Sequence, residues 1–311
     1  MAHGPIYWSQ NVGVGPTDNA VTKQLQNVNC GIGKVVTHIQ KDGARGTRSR
    51  HTGNVNEGPY TVGGPLAVQP SPDELRTLFP YILGGSESGS GTSGSPWSYA
   101  LAETLSSMRV SQDMRLNATG SDSMVFHWDG CKVNNARFSC SAGSQVLTLE
   151  MDVQGKTQTK NATWPSIGST LTTGKPFIHA QLVLTLGGTA YQVENFNLTI
   201  DNALILDRFL NSLTRTELPE SDRNITLEVD NPFSVGDIAL YEIAVAGLAG
   251  SAVFTNGLSV LTFTFANLKA PADVLQRAQR GEAMNRLRFT AYETGTPGST
   301  TKELVTTLST S

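Results

Sequence analysis

The chain has 311 residues, with 23 Lys and Arg against 26 Asp and Glu, for a formal net charge of −3. That balance gives no basis for nucleic-acid binding through a basic surface, and no apolar run is long enough to cross a membrane as a helix. Hydrophobic residues make up 38% and charged residues 16%, so real cores are available, and the abundant Gly, Ser, Thr and Asn favour short strands and turns over long helices.

The length suggests two domains as a starting point. Cys30, Cys131 and Cys140 are odd in number, and the N-terminus lacks a charged-then-apolar leader pattern. Free thiols made in a reducing compartment are therefore expected.

Residues 1–33 are rich in Gly, Asn and Gln with little periodicity and read as an extended arm. Val35–Lys41 is strand-like, and Asp42-Gly43 is a turn signal. Lys41, Arg45, Arg48 and Arg50 form the one local basic run. It reads as a solvated hairpin or as a contact that docks on an acidic surface of another subunit. Direct DNA binding ranks third, because no aromatics interleave the charges.

The stretch Glu57–Gly85 delivers an extended run into one amphipathic helix. Ser71 caps it, Pro72 takes the first helical position and Glu74 completes a capping box. Leu75, Leu78, Phe79, Ile82 and Leu83 form one apolar stripe, and Gly84 closes the helix. Pro80 removes an amide donor, so a kink or break is expected there. Arg223–Gly247 repeats this grammar: Ser234 caps, Asp237 stands three residues on, and Gly247 stops the helix at the spacing of Ser71 to Gly84.

Between the two copies, Gly84–Pro96 is low in complexity and reads as a mobile surface loop or linker. A helix or strand follows around Tyr99–Met108, then strands at Met124–Trp128 and Lys132–Cys140. In Gln145–Gln154, Leu147, Leu149, Met151 and Val153 alternate with Thr148, Glu150, Asp152 and Gln154. One face is dry and one wet, as in an antiparallel sheet. Gly187-Gly188 signals a hairpin, and a parity change between Val193 and Phe196 predicts a bulge near Glu194-Asn195. Ile225, Leu227 and Val229 alternate with Thr226, Glu228 and Asp230, and Asn256-Gly257 joins two further strands. MVFHWDGCKVNN matches LTFTFANLKAPA, placing Lys132 opposite Lys269, and Val146–Met151 is matched to Arg286–Ala291. Ala272–Arg280 reads as a short helix.

The chain thus divides into an arm (1–33), a first β unit (34–160), a linker (161–177), a second β unit (178–300) and a C-terminal segment (301–311). The fold class is mainly β: two similar β-sandwich or split-barrel units, each with a flanking helix.

Catalytic signatures are missing from the sequence. Gly31–Lys34 lacks the rest of a phosphate-binding loop, no serine sits in a G-x-S-x-G elbow, and the histidines lack zinc spacing. His127-Trp128-Asp129 reads as structural, and the pairs Glu150/Asp152 and Glu228/Asp230 read as solvated same-face neighbours. No catalytic, cofactor or metal residues are assigned.

The strand feeding the capped S-P-D-E-L helix, the run Gly130-Cys131-Lys132-Val133-Asn134, the strand pair after it and the strand ending Gly155-Lys156 resemble the tail tube proteins of long-tailed bacteriophages. The resemblance covers most of the chain beyond the arm. It implies a non-enzymatic virion protein, assembled in the host cytoplasm and built into the tail as stacked rings around a channel. DNA would pass through without sequence-specific binding, and no membrane or cofactor is involved. Six family units form a ring, so a chain with two units implies a trimer with pseudo-six-fold symmetry; a hexamer is the other assembly. Tape-measure, tail terminator and baseplate proteins are the implied partners. Glu150, Asp152, Glu228 and Asp230 become candidates to face the lumen, with the outside surface as the other placement. Lys41, Arg45, Arg48 and Arg50 become candidate inter-subunit contacts. The competing reading is a non-catalytic β-sandwich decoration or adhesion protein of the virion, and an enzyme such as a carbohydrate-active hydrolase ranks third.

Overall fold

The computed structural model describes residues 10–17, 21, 23–26, 28–40, 55–115, 123–160, 174–232, 244–270, 284–295 and 302–310. Its first strands are β1 (Gln10–Pro16), β2 (Lys23–Leu25), β3 (Val28–Cys30), β4 (Gly33–Gln40) and β5 (Val55–Val68). Helix α1 (Pro72–Leu83) follows, then β6 (Trp97–Ala100), β7 (Met108–Arg115), β8 (Ser123–Ser141), β9 (Thr148–Gly155) and β10 (Thr157–Lys160). The second half holds β11 (Leu182–Leu186), β12 (Thr189–Tyr191), β13 (Asn195–Asp201), β14 (Asn224–Pro232), β15 (Leu248–Asn256), β16 (Ser259–Lys269), β17 (Met284–Tyr292) and β18 (Leu304–Ser309). The chain is mainly β, and its strands join in one large antiparallel sheet.

Helix α1 forms for local reasons. The Ser71 side chain accepts from the Glu74 amide, and Glu74 Oε2 accepts from the Ser71 amide at 2.7 Å. The other Glu74 oxygen accepts from the Gln26 amide, which ties the turn after β2 to the helix start. Gly84 takes the left-handed conformation at φ 80°, and its amide bonds the Pro80 carbonyl. The expected break at Pro80 does not occur: the helix continues to Leu83, with Leu75, Leu78, Phe79 and Ile82 fully buried. Packing of that stripe outweighs the one missing donor. Most of the second helix, Ser234–Ala246, lies outside the described residues; Ala244–Ala246 are helical, and Gly247 has φ 110°.

The same pairing order occurs twice. In the first half the neighbours run β4–β5–β9–β8. In the second they run β13–β14–β17–β16. Registers agree as well as order. Gly63↔Gln154 and Lys132↔Gln154 in the first half have counterparts in Thr226↔Thr290 and Lys269↔Thr290. A register shift sits between Met108 and Val110, opposite Cys131 and Trp128, and its counterpart lies between Leu248 and Gly250, opposite Leu268 and Phe265. These registers set Met151 against Leu287 and Val153 against Phe289. They therefore shift the alignment expected from Val146–Met151 and Arg286–Ala291, which alternation alone cannot fix.

Strands β8 and β13 pair from Asn135↔Asp201 to Ser141↔Asn195 and join the halves. Together the two sets make one antiparallel run of eight strands, β4–β5–β9–β8–β13–β14–β17–β16. A second junction pairs β18 with β6. One core spans both halves: Phe79 of α1 meets Phe138 at 6.0 Å, Phe138 meets Phe263 at 5.1 Å, and Phe196 meets Phe254 at 5.5 Å.

Several expectations are corrected. Within residues 1–33, β1 is a sheet strand bonded to β7 and β2, with Val12 and Val14 fully buried. Only two apolar side chains mark it, too few to show in sequence. The segment 301–311 likewise supplies β18, paired with β16. The Gly/Ser loop is ordered by main-chain bonds: Ser88 and Ser98 exchange two, and Thr310 donates to Gly91. The parity change near Glu194 falls in the break between β12 and β13 rather than in a bulge.

Candidate functional site

The dry face of the eight-stranded run carries Leu149, Met151, Val153, Leu198, Leu227, Val229, Leu287 and Phe289. Strict alternation therefore puts the polar partners of these residues on the opposite face. Glu150 lies opposite Arg137 and Ala67, and Glu228 opposite Asn197 and Arg288. All four sequence-predicted acids share this face, with the Glu150/Asp152 strand separated from the Glu228/Asp230 strand by β8 and β13.

Asp152, Glu228 and Asp230 each have defined partners. Asp152 accepts from Asn134 Nδ2 at 2.9 Å and Gln154 Nε2 at 2.8 Å. Asn195 Nδ2 bonds Asp230 at 2.9 Å, and Asn197 Nδ2 bonds Glu228 at 3.2 Å. Arg288 approaches Glu228 at 3.3 Å, and Arg286 approaches Asp230 at 3.6 Å. The face is thus mixed in charge, with Arg137, Arg286 and Arg288 interleaving the acids. Sequence reading passed over these arginines. For Arg286 and Arg288 the signal was present as the polar partners of Leu287 and Phe289, but pairing them with Glu228 and Asp230 required knowing that β14 and β17 are neighbours.

The junction of the halves is the second constructed feature. Residues 202–223 form an irregular strap between β13 and β14. Buried Asn202 donates to the carbonyls of Ile82 and Val133 at 3.1 and 3.0 Å. Where β9 ends beside β5, the Tyr60 amide donates instead to the Leu213 carbonyl. Arg215, 5% exposed, fills that end. Its Nη1 donates to Val62 O at 3.1 Å, Gln154 Oε1 at 3.0 Å and Gly155 O at 3.4 Å, and its Nε to Leu206 O at 2.8 Å. Lys132 reaches Glu220 at 2.7 Å and the Leu218 carbonyl at 3.0 Å. The predicted basic contacts Lys41, Arg45, Arg48 and Arg50 lie outside the described residues.

Comparison with protein families decides which fold family uses these parts. The family model described as phage tail tube protein matches residues 17–305. The chain belongs to the phage tail tube family. It is therefore a structural component of a virion tail. No curated protein matches it.

Elsewhere in this tail tube protein, polar groups are occupied structurally. His127 Nδ1 lies 2.5 Å from Ser111 Oγ inside the β7–β8 pair, while Asp129 takes a two-pronged contact from Arg109 at 2.5 and 3.0 Å. His127 and Asp129 thus have different partners. Cys30, Cys131 and Cys140 are free and buried. Burial pushes the Cys30 thiol up to about 11 and Cys140 to about 12, and raises Cys131 further still. Such thiols are poor nucleophiles and poor metal ligands near neutral pH. At the loop following α1, Arg76 grips Glu87 at 2.8 Å and holds its carboxyl below the usual range, while burial and Glu87 raise Tyr99.

Proposed function

We propose that this chain is a double tail tube subunit, three copies of which close a ring around a DNA channel and stack into the tube. The observation that carries the reading is the eight-stranded antiparallel run, in which one four-strand order and its registers occur twice. The two units would be fused through a shared core, the first including β1 to β3 and the second including β18. Three chains would give twenty-four strands. At about 4.8 Å between strands and a tilt of about 40°, the backbone ring measures about 48 Å across. Once side chains are subtracted, a DNA duplex passes. The polar face carrying Glu150, Asp152, Glu228 and Asp230 lines the lumen, since the other face is filled by the core. Four acids against Arg137, Arg286 and Arg288 make this wall weakly acidic, so phosphates are not held by counterion release.

The same duplication gives the basic segment a role. The strap 202–223 of the second unit corresponds to the span 36–60 of the first. Arg215 falls at position 49 counted through β13 and at 52 counted through β14. Arg48 and Arg50, with Lys41 and Arg45, would make contacts between chains, with the end of β17 in the second unit as the partner surface. Acidic Asp222, Glu293 and Glu303 line a depression at that end of the second unit. Rings assembled in the host cytoplasm would meet tape-measure, terminator and baseplate proteins at the tube's core and two ends.

Electron microscopy of assembled protein, with native mass spectrometry of released rings, tests the reading. Hollow rods with three chains per ring are expected. Six chains per ring, or dispersed monomers under all assembly conditions, would overturn it.

A further inference from the structure

Lys132, Gln154 and Gly63 form one cross-strand row, and Lys269, Thr290 and Thr226 form its counterpart in the second unit. Glu57 stands six residues before Gly63, as Glu220 stands six before Thr226. The local ladders agree, including a slip of one residue. In the first unit the pairing passes from Val36↔Tyr60 to His38↔Glu57. In the second it passes from Asp201↔Asn224 to a pair of bonds in the strap, Ser221 N to Ala203 O and Ile205 N to Pro219 O. Those bonds set Leu204 opposite Glu220, as His38 is set opposite Glu57. Lys269 is thus the counterpart of Lys132, and Glu57 that of Glu220.

Inside the chain, Lys132 Nζ reaches Glu220 Oε1 at 2.7 Å, and both side chains are largely covered. The counterparts are not joined. Lys269 and Glu57 are both exposed. Among the described residues neither makes an ion pair, and Lys269 lies only over the Tyr292 ring, 6.0 Å from its centroid. They cannot meet within one chain. Glu57 belongs to β5, the second strand of the eight-stranded run, and Lys269 ends β16, the eighth.

We propose that Lys269 of one copy and Glu57 of another complete the ion pair that Lys132 and Glu220 make inside a chain. The inference rests on the ring reading above and adds the charge pair that selects partners. Its use is discrimination. Lys269 against a second Lys269, or Glu57 against a second Glu57, brings like charges together, so each end of the chain rejects its own kind. Held as closely as Lys132 and Glu220, the pair is screened by salt less than a fully exposed contact.

Tube yield from the full chain at low salt tests the pair. Glu57→Lys and Lys269→Glu each set like charges against one another, and each should lower the yield at least about ten-fold. Both side chains are exposed, so each variant should melt with the wild-type monomer. A chain carrying both substitutions restores an opposite pair with the signs exchanged, and its yield should return to within about two-fold of wild type. Normal yield from either single variant, or a double variant as poor as the singles, would overturn the pair; wild-type rings of three chains would leave the tube function standing. A wild-type chain that never forms rings would overturn both.

Discussion

Replacing Arg215 with Met tests whether the two halves are locked by the strap. The side chain is 5% exposed and donates at 2.8, 3.0 and 3.1 Å to Leu206 O, Gln154 Oε1 and Val62 O, with a longer bond to Gly155 O. Methionine keeps the length and apolar stem but removes every donor. Buried acceptors left alone cost about 1–3 kcal/mol each, so with some of the four re-paired by neighbours the loss is about 3–5 kcal/mol in total. Burial opposes the Arg215 charge, while Asp152 favours it, which argues for the middle of that range rather than the top. At about 2 °C per kcal/mol for a chain this long, the melting midpoint falls by roughly 8 °C. Calorimetry reads the midpoint, and hydrogen exchange at the Tyr60 amide reads the strap directly, because Leu213 is its partner. Arg215→Lys keeps the charge but loses the fork and should fall between the two. A loss below about 1 kcal/mol with unchanged Tyr60 protection would refute the argument, since it would place the strap's hold elsewhere.

Other outcomes follow from the same geometry. Leu78→Ala empties a fully buried site on α1 and should cost about 2–5 kcal/mol in urea titration. Glu87, held below the ordinary carboxylate range by Arg76, contributes stability above the unfolded carboxyl range and loses it as pH falls through the lowered value. Glu87→Gln should therefore melt below wild type at pH 7, with the gap closing toward pH 3. Lysine at both Glu150 and Glu228 should leave tubes intact but slow DNA ejection; normal ejection from intact double-lysine tubes would remove these acids from the wall. Charge reversal at Arg48 and Arg50 should lower tube yield at low salt without unfolding the monomer, and unchanged yield there would count against the contact.

The helix and the better strands were legible because their signals are local. Ser71, Glu74 and Gly84 act within one turn of backbone, and β9 and β14 alternate over enough residues to fix a face. Asn256-Gly257 likewise marks a turn, with Gly257 at φ 63°. By contrast, β1 shows only Val12 and Val14 among Gly and Asn, and its burial depends on β7 and β2 arriving from elsewhere in the chain. The order of the loop 84–96 resides in main-chain bonds that composition does not encode. Arg215 is one arginine in an irregular stretch, and its role exists only because β9 stops where the strap passes. The acids were legible as a polar row; the arginines that temper them needed the β14–β17 neighbourhood.

The contacts of Phe263 with Phe79 and with Phe138 have a consequence for inheritance. A chimera that takes one half from another tube protein receives only one side of this aromatic seam. The incoming side chains must match rings already fixed at 6.4 and 5.1 Å, and a mismatch leaves a void or a clash in the middle of the molecule. The halves are therefore bound to change together, and the smallest piece that can be exchanged between relatives is the whole chain.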